Sequence, residues 1–212
     1  MQWTLVIPLK PLARAKSRLS DTAADALRPG LALAFAQDTV TAALASPAVG
    51  DVAVVTDDAR AARELIALGA RVIPDEPRAG LNAALAHGAA TVRARHPESA
   101  VAALNADVPA LRPLELARVL DAAAEFPRAF LADAAAIGTT LLAAAKGQEL
   151  RPAFGTDSRA RHRASGAVEL CLAGVDSVRQ DVDTGEDLRA ALALGVGPRT
   201  AVATAGLLIR GQ

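Results

Sequence analysis

The sequence predicts an α/β fold with a mostly parallel sheet, because short apolar runs alternate with longer alanine- and leucine-rich segments. Residues 3–7 form a β-branched run ended by Pro8, and residues 100–104 are apolar throughout. Runs of this length, bounded by turn residues, are typical of strands buried on both faces of a parallel sheet. Their alternation with helical segments indicates a doubly wound arrangement.

The first half of the chain repeats this strand–helix unit. The first helix is expected to be interrupted at Pro29-Gly30. Asp57 and Asp58 follow the second strand, where acids could form a site, but N-capping of the next helix is the better interpretation. The further strands are predicted over residues 51–56 and 71–74, and the helices over residues 22–45, 57–68, 81–96 and 113–125.

The pattern changes after Phe126. Residues 128–132 and 139–143 predict two strands of an antiparallel hairpin, joined by a loop that contains Gly138. A basic helix is expected after Ser158, followed by strands over residues 168–172 and 178–183 and a closing helix to about Leu194. Residues 196–212 are expected to form a weakly patterned tail, and the chain, 1–212, is expected to be one domain.

Composition and charge argue against several classes of function. Of the 212 residues, 52% are hydrophobic and 22% charged, and 23 basic residues balance 23 acidic ones. No overall field therefore indicates a nucleic acid or a membrane surface as partner, and the aromatic residues are too few for a base-stacking platform. The sequence has no signal-peptide pattern and no apolar stretch of membrane-spanning length, so we expect a cytoplasmic protein. Cys171 stands alone in an apolar run and is expected to be buried.

A basic loop follows the first strand. Lys10, Arg14, Lys16 and Arg18 precede the next acid, Asp21. In a chain without net charge, this concentration at a strand end favours the binding of an anion, although a solvated surface loop is the alternative. The loop has neither the glycines of a dinucleotide fingerprint nor those of a P-loop, so phosphate here would be held mainly by cationic side chains.

Carboxylates stand at two further positions. Asp107 comes just after the strand over residues 100–104, where it could hold a metal ion or simply cap the following turn. Right-handed crossovers place the ends of the first and fourth strands side by side, which brings the basic loop opposite Asp107. Asp181 and Asp183 are expected on one face of a late strand, with Val182 toward the core. Two like charges so close require a cation or hydrogen-bond donors.

These features together indicate magnesium-dependent chemistry on a nucleoside triphosphate. Magnesium is usually held by one or two carboxylates and completes its shell with water and substrate phosphates. Cations opposite the metal would stabilise the charge that develops when a triphosphate loses pyrophosphate. Gly155 precedes a helix that begins near Ser158 and carries arginines. This turn is a second candidate anion site, for the acceptor, and a well-capped surface helix is the alternative.

A set of motifs in a fixed order carries a resemblance to a known family. They are Val6-Ile-Pro-Leu-Lys-Pro-Leu-Ala-Arg-Ala-Lys-Ser-Arg-Leu19, Gly80-Leu-Asn82, Leu104-Asn-Ala-Asp-Val-Pro109, Phe154-Gly-Thr-Asp-Ser158 with His162 and Gly166-Ala167, and Asp181-Val-Asp-Thr184. From residue 3 to about residue 195, the chain resembles the 2-phospho-L-lactate / phosphoenolpyruvate guanylyltransferases. Each motif alone is weakly specific, whereas the ordered set is specific.

The resemblance implies a single-domain, Rossmann-like nucleotidyltransferase fold, GTP as the donor, and a role in making the deazaflavin coenzyme F-420. The acceptor would be a small phosphorylated carboxylic acid, phosphoenolpyruvate or 2-phospho-L-lactate, whose phosphate attacks the α-phosphate of GTP. By the same resemblance, Asp107 and Asp181 look like ligands of Mg²⁺, with Asp183 as a third, and Asn82 is a candidate for guanosine. The triphosphate would contact Lys10, Lys16 and Arg18, and the acceptor would contact Thr139, Gly155 and Ser158.

One position departs from the family pattern. Where the family usually has Gly-Thr-Gly-Thr, this chain has Ala136-Ile-Gly-Thr139, so an isoleucine replaces a small polar residue beside the acceptor pocket. This leaves room for another acceptor, such as 3-phosphoglycerate. The alternatives are a related nucleotidyltransferase acting on a sugar phosphate or molybdopterin, and a non-catalytic nucleotide-binding regulator. The related enzymes usually carry a glycine-rich loop after the first strand, which this chain lacks. The sequence does not indicate an oligomeric state.

Overall fold

The centre of the fold is a seven-stranded sheet with the strand order β3-β2-β1-β4-β6-β5-β7. The computed structural model describes residues 2–14 and 26–208 of the chain. Only β6 runs antiparallel to its neighbours, so the predicted α/β class, with a mostly parallel sheet and an antiparallel late section, is confirmed. The strands are β1 (Trp3–Pro8), β2 (Val49–Val55), β3 (Arg71–Ile73), β4 (Ala100–Leu104), β5 (Arg128–Ala132), β6 (Thr139–Ala144) and β7 (Val168–Glu169).

Helices cover both faces of this sheet. They are α1 (Arg28–Leu44), α2 (Ala59–Ala67), α3 (Leu81–Arg95), α4 (Pro113–Ala123), α5 (Ser158–Ala164), α6 (Asp176–Arg179), α7 (Gly185–Leu194) and α8 (Pro198–Leu208), with a 3₁₀ turn at Leu12–Arg14. Alternate residues of β1 point to opposite faces. Leu5 and Ile7 belong to the apolar core that includes α1, α2 and α4, whereas Val6 belongs to the core that includes α3. None of the helices in the described ranges has the length and apolarity that a membrane crossing needs.

The packing of α3 on the sheet depends on Gly88. A Cβ atom at this position would lie 2.6 Å from Cγ1 of Val6 and 2.7 Å from Cγ2 of Val55. Both valines are buried and their side chains are stiff. Because glycine has no side chain, α3 can approach β1 and β2 more closely here than any other residue would allow.

The strand pair β1–β4 fixes where a site can form. These two strands are parallel, and Trp3 pairs with Ala100 and Val6 with Ala103. The chain leaves β1 on one side of the sheet and, after two further strands, returns to pair with β1 on its other edge. In such sheets the ligand lies beyond the carboxyl ends of the strands where the order reverses. The predicted neighbourhood of the first and fourth strands is confirmed.

Two predictions on helix boundaries are wrong. Pro29 lies in the first turn of α1, where its missing N–H costs nothing, so Pro29-Gly30 does not interrupt this helix. The part of the predicted helix over residues 22–25 lies outside the described residues. The segment after Gly195 was expected to be weakly patterned, yet residues from Pro198 form α8. Asp38 of α1 holds this helix, because its carboxylate accepts hydrogen bonds from the amide of Arg199 at 3.2 Å and from that of Thr200 at 2.7 Å.

The two aspartates after β2 have different roles. Asp58 is the predicted N-cap of α2, and its carboxylate accepts hydrogen bonds from two amides of the first turn at 3.0 Å each. The prediction that Asp57 is also a cap is wrong. Its carboxylate instead accepts from the amide of Asp75 at 3.1 Å and from Nε of Arg78 at 2.8 Å.

The strand predicted over residues 168–172 is shorter than expected. β7 ends at Glu169, and the chain then leaves the sheet toward α6. Cys171 lies in this connection and is exposed, so the prediction that its thiol is buried is wrong.

Candidate active site

A cavity of about 690 Å³ opens beyond the carboxyl ends of β1 and β4. It collects most of the residues that the sequence singles out, from segments far apart in the chain. Its wall includes Pro8, Leu9, Lys10, Leu81, Asn105, Asp107, Asp133, Ile137, Gly138, Thr139, Phe154, Gly155, Asp157, Ser158, Asp181 and Asp183. Lys10 and Asp107 thus line one cavity at the predicted edge of the sheet.

Two chain segments form the acidic part of the cavity wall: the residues just after β4 and the segment between α6 and α7. The amide of Val182 donates to the carbonyl of Asp107 at 3.0 Å, and Nδ2 of Asn105 donates to Oδ2 of Asp181 at 3.3 Å. Residues 181–183 are not a strand, contrary to the prediction, because α6 ends at Arg179 and the chain then bonds to the segment after β4 through this backbone bond. Val182 is fully buried as expected, and Asp181 and Asp183 both line the cavity.

Carboxylates are the main charged groups in the described part of the wall. Over residues 2–14 and 26–208, the wall carries the carboxylates of Asp107, Asp133, Asp157, Asp181 and Asp183 and the amine of Lys10. Hard oxygen donors of this kind are the ligands that Mg²⁺ prefers, and it needs only one or two of them. Within the same described ranges, no group of three or more His, Cys, Asp or Glu side chains converges closely enough to form a metal cluster. The donor chemistry thus fits magnesium held partly by substrate and water.

The basic side is described only in part. Lys10 follows β1, is exposed, and lines the cavity. Lys16 and Arg18, the other two predicted triphosphate contacts, lie outside the described residues. Their role therefore stays a prediction from the sequence.

The predicted acceptor residues Thr139, Gly155 and Ser158 also line the cavity. The turn between β5 and β6 leads to Thr139 and is held by Asp133. This carboxylate accepts from the amide of Ile137 at 3.0 Å and from that of Gly138 at 2.8 Å. The carboxylate occupies the space beside Gly138 that a Cβ would need. Ile137, the departure from the family pattern, is 59% exposed at the rim.

Behind Thr139 lies a histidine whose role the sequence does not indicate. His162 is fully buried on α5, and its Nδ1 lies 2.9 Å from Oγ1 of Thr139. The amide of Ala153 donates to its Nε2 at 3.0 Å. Burial, and then the nearby guanidinium groups of Arg128 and Arg161, lower the pKa of His162 to about 4. The signal in the sequence was its spacing, since Ser158 and His162 are four residues apart and share one face of α5.

Asn82 contacts the backbone of the segment that leads to α5. Its Nδ2 donates to the carbonyl of Phe154 at 3.1 Å, and its Oδ1 accepts from the amide of Phe154 at 2.7 Å. This pair of bonds ties the start of α3 to the residue before Gly155. Asn82 therefore holds the backbone beside Gly155 in place, and its predicted contact with guanosine stays a prediction.

Comparison with known proteins identifies related chains over almost the whole length. Residues 3–201 match the family described as guanylyl transferase CofC like. A phosphoenolpyruvate guanylyltransferase of Streptomyces coelicolor is 81% identical over 212 residues, covering 100% of both chains. A protein of the same name from Thermomonospora curvata is 62% identical over 205 residues, covering 97% of this chain and 90% of the relative.

Solved structures with low sequence identity share the fold. A nucleotidyl transferase from Methanothermobacter thermautotroptrophicus has a TM-score of 0.63 at 21% identity, covering 91% of this chain and 97% of that structure. A CMP:2-keto-3-deoxy-manno-octonic acid synthetase in complex with CTP has a TM-score of 0.59 at 18% identity, covering 92% and 98%. The architecture is thus that of nucleotidyltransferases.

Proposed function

Since the chain belongs to the guanylyl transferase CofC-like family, we propose that it transfers GMP from GTP to the phosphate of phosphoenolpyruvate and releases pyrophosphate. The observation that carries this proposal is the cavity beyond β1 and β4, which combines a lysine, carboxylates and a polar wall for a second anion. The names of the relatives at 81% and 62% identity support phosphoenolpyruvate as the acceptor.

In this proposal the nucleotide lies along the edge formed by β1 and β4. Lys10, which lines the cavity, would contact the triphosphate together with Lys16 and Arg18 of the same loop. Positive charge there stabilises the negative charge that develops on the pyrophosphate leaving group. These groups act by electrostatics, so no side chain needs to be covalently modified.

Asp107, Asp181 and Asp183 would hold Mg²⁺, which, when bound, neutralises phosphate charge and orients the triphosphate. The oxygen chemistry of these residues supports this assignment. All three aspartates line the cavity, and carboxylate oxygens are ligands that Mg²⁺ prefers. Both substrates are polyanions, so a divalent cation between them would lower the like-charge repulsion that opposes their approach.

Thr139, Gly155 and Ser158 would hold the acceptor acid on the other side. A phosphate oxygen of the acid then attacks the α-phosphorus, and the bond from that phosphorus to the oxygen bridging to the β-phosphate breaks in line. The new bond is a phosphoanhydride, and pyrophosphate carries away the electron pair. The protein contributes orientation and electrostatic stabilisation, which suffice for phosphoryl-type transfer.

The direct test is an assay of pyrophosphate release by the full chain with GTP and MgCl₂. We expect release with phosphoenolpyruvate, and we would compare 2-phospho-L-lactate, 3-phosphoglycerate and glucose 1-phosphate at equal concentration. Omitting magnesium with EDTA present should abolish turnover. Release with glucose 1-phosphate alone would refute the proposal.

The substitution Asp107→Asn tests the acidic side of the cavity. It removes one charge, yet the bond from the Val182 amide ends on the backbone carbonyl of Asp107 and is retained. We expect kcat to fall by about 100-fold or more, while the protein still unfolds in one cooperative transition. Asp121→Asn, at an exposed position of α4 away from the cavity, is the matched control and should keep full activity. Loss of the cooperative transition in Asp107→Asn would instead indicate a structural role.

A further inference from the structure

The contacts of His162 determine which of its ring nitrogens carries the proton. The Ala153 amide lies 3.0 Å from Nε2 and can only donate, so Nε2 must accept and carries no hydrogen. A neutral imidazole then has its hydrogen on Nδ1. The protonated ring, with a hydrogen on both nitrogens, would direct one of them at the amide hydrogen of Ala153.

This tautomer in turn fixes the role of the Thr139 hydroxyl. Nδ1–H of His162 donates to Oγ1 of Thr139 across 2.9 Å, so the oxygen is an acceptor in this bond. The hydroxyl's own hydrogen must then find another acceptor. Among the described residues, His162 is the only side chain that hydrogen-bonds to Oγ1, and Thr139 lines the cavity. The remaining hydrogen is therefore available to an oxygen atom in the cavity.

We propose that His162 is a positioning residue that locks the Thr139 hydroxyl as a hydrogen-bond donor toward the acceptor acid. This inference rests on the proposed function, because it assigns the acid to the side of the cavity lined by Thr139. A free threonine hydroxyl can donate or accept, whereas a hydroxyl fixed as a donor is preorganised for an anionic oxygen. The ligand it selects is a carboxylate or phosphate group.

The surroundings of the ring suit a fixed, neutral group. His162 is fully buried, and the rings of Phe154 and Phe130 lie 5.0 Å and 5.7 Å from it between centroids. Ser158, one turn earlier on α5, is also buried and lines the same cavity. One rigid helix therefore sets both hydroxyl groups of the acceptor side, one directly and one through the imidazole.

Two substitutions test the donor function of Nδ1 and the acceptor function of Nε2 separately. The amide nitrogen of Asn overlays Nδ1, so His162→Asn keeps a donor for Thr139 and loses the acceptor for Ala153. The amide oxygen of Gln reaches the position of Nε2, so His162→Gln keeps that acceptor and loses the donor. We expect His162→Gln to raise the KM for phosphoenolpyruvate by about tenfold or more and His162→Asn by much less, with the KM for GTP unchanged. His96→Gln, at an exposed position after α3, is the control for histidine replacement.

A double-mutant cycle with Thr139→Val completes the test. If the imidazole acts through the hydroxyl, Thr139→Val should raise the same KM, and adding His162→Gln should raise it no further. Thr139→Ser, which retains a hydroxyl, should leave this KM near the wild-type value. Additive effects, or equal effects of His162→Gln and His162→Asn, would overturn the proposal. If the wild type shows no turnover with phosphoenolpyruvate, the proposed function fails on its own. The tautomer is tested separately by ¹⁵N spectra of the ring without substrate, and a hydrogen on Nε2 would refute it.

Discussion

Protonation of His162 should make the stability of the fold depend on pH. The pKa of this ring is about 4 in the folded chain, below its ordinary value of 6.5, because burial and the charges of Arg128 and Arg161 disfavour the imidazolium. The unfolded chain therefore takes up a proton as the pH falls through 6.5, while the folded chain does not until about 4. The stabilisation is present above pH 6.5 and is lost as the pH falls toward 4.

The size of this effect follows from the difference between the two pKa values. In full it corresponds to about 3 kcal/mol, and about 2 kcal/mol of it should be lost between pH 7 and pH 5. The assay is urea unfolding followed by the fluorescence of Trp3, the only tryptophan, which is 1% exposed in the folded state. Other groups also titrate in this range. The change in unfolding free energy between pH 7 and pH 5 is therefore measured for both the wild type and His162→Gln, and the difference between the two changes is the contribution of His162.

The result that would refute this reasoning is the same pH dependence of unfolding in both proteins. A second measurement is independent of unfolding. The ring protons of His162, assigned by their absence in His162→Gln, should titrate near pH 4 in NMR spectra of the folded chain. A midpoint near 6.5 would mean that the ring is accessible and that its bond to the Ala153 amide is not maintained.

Three further substitutions test the fold that supports the site, each by its melting temperature and urea midpoint. Gly88→Ala should lower stability, because overpacking against Val6 and Val55 costs about 1–3 kcal/mol while helix propensity returns about 1 kcal/mol. Gly30→Ala, in α1 with no atom within 4 Å of the added Cβ, is its control and should be neutral or stabilising. Asp38→Ala removes the partner of the first amides of α8 and should cost about 1–2 kcal/mol and make α8 easier to cleave with protease. Asp58→Ala should cost about 1 kcal/mol through loss of the α2 cap, and an unchanged midpoint in either Asp variant would contradict its capping role.

Much of the fold follows from local sequence patterns. The apolar runs at residues 3–7 and 100–104 give β1 and β4, and the handedness of crossovers makes them neighbours. This is why the cavity with Lys10 and Asp107 could be predicted at the right edge of the sheet. A carboxylate that follows a buried parallel strand lies at the carboxyl edge of the sheet, which is the edge where ligands bind in such folds.

The parts that the sequence did not predict depend on contacts between distant segments. Residues 181–183 alternate like a strand, but a backbone bond to Asp107 and the burial of Val182 decide their conformation. For α8, the amphipathic signal is weak because threonines fill part of its buried face; Thr200 and Thr204 are both buried. The role of His162 depends on the backbone amide of Ala153, which donates to its Nε2. Residue types alone do not indicate where a backbone amide in a loop will point.

Asp181 and Asp183 stand late in the chain, and this determines when the cavity can be completed during synthesis. Asn105 and Asp181, whose side chains are hydrogen-bonded in the wall of the cavity, are 76 positions apart in the chain. Synthesis proceeds from the N-terminus, and domains begin to fold as their residues emerge. All strands of the sheet are complete at Glu169, so the sheet can form while Asp181 and Asp183 are still to be added. Nucleotide binding should therefore be acquired late, and a nascent chain that ends before Asp181 would carry the sheet without the acidic side of its cavity.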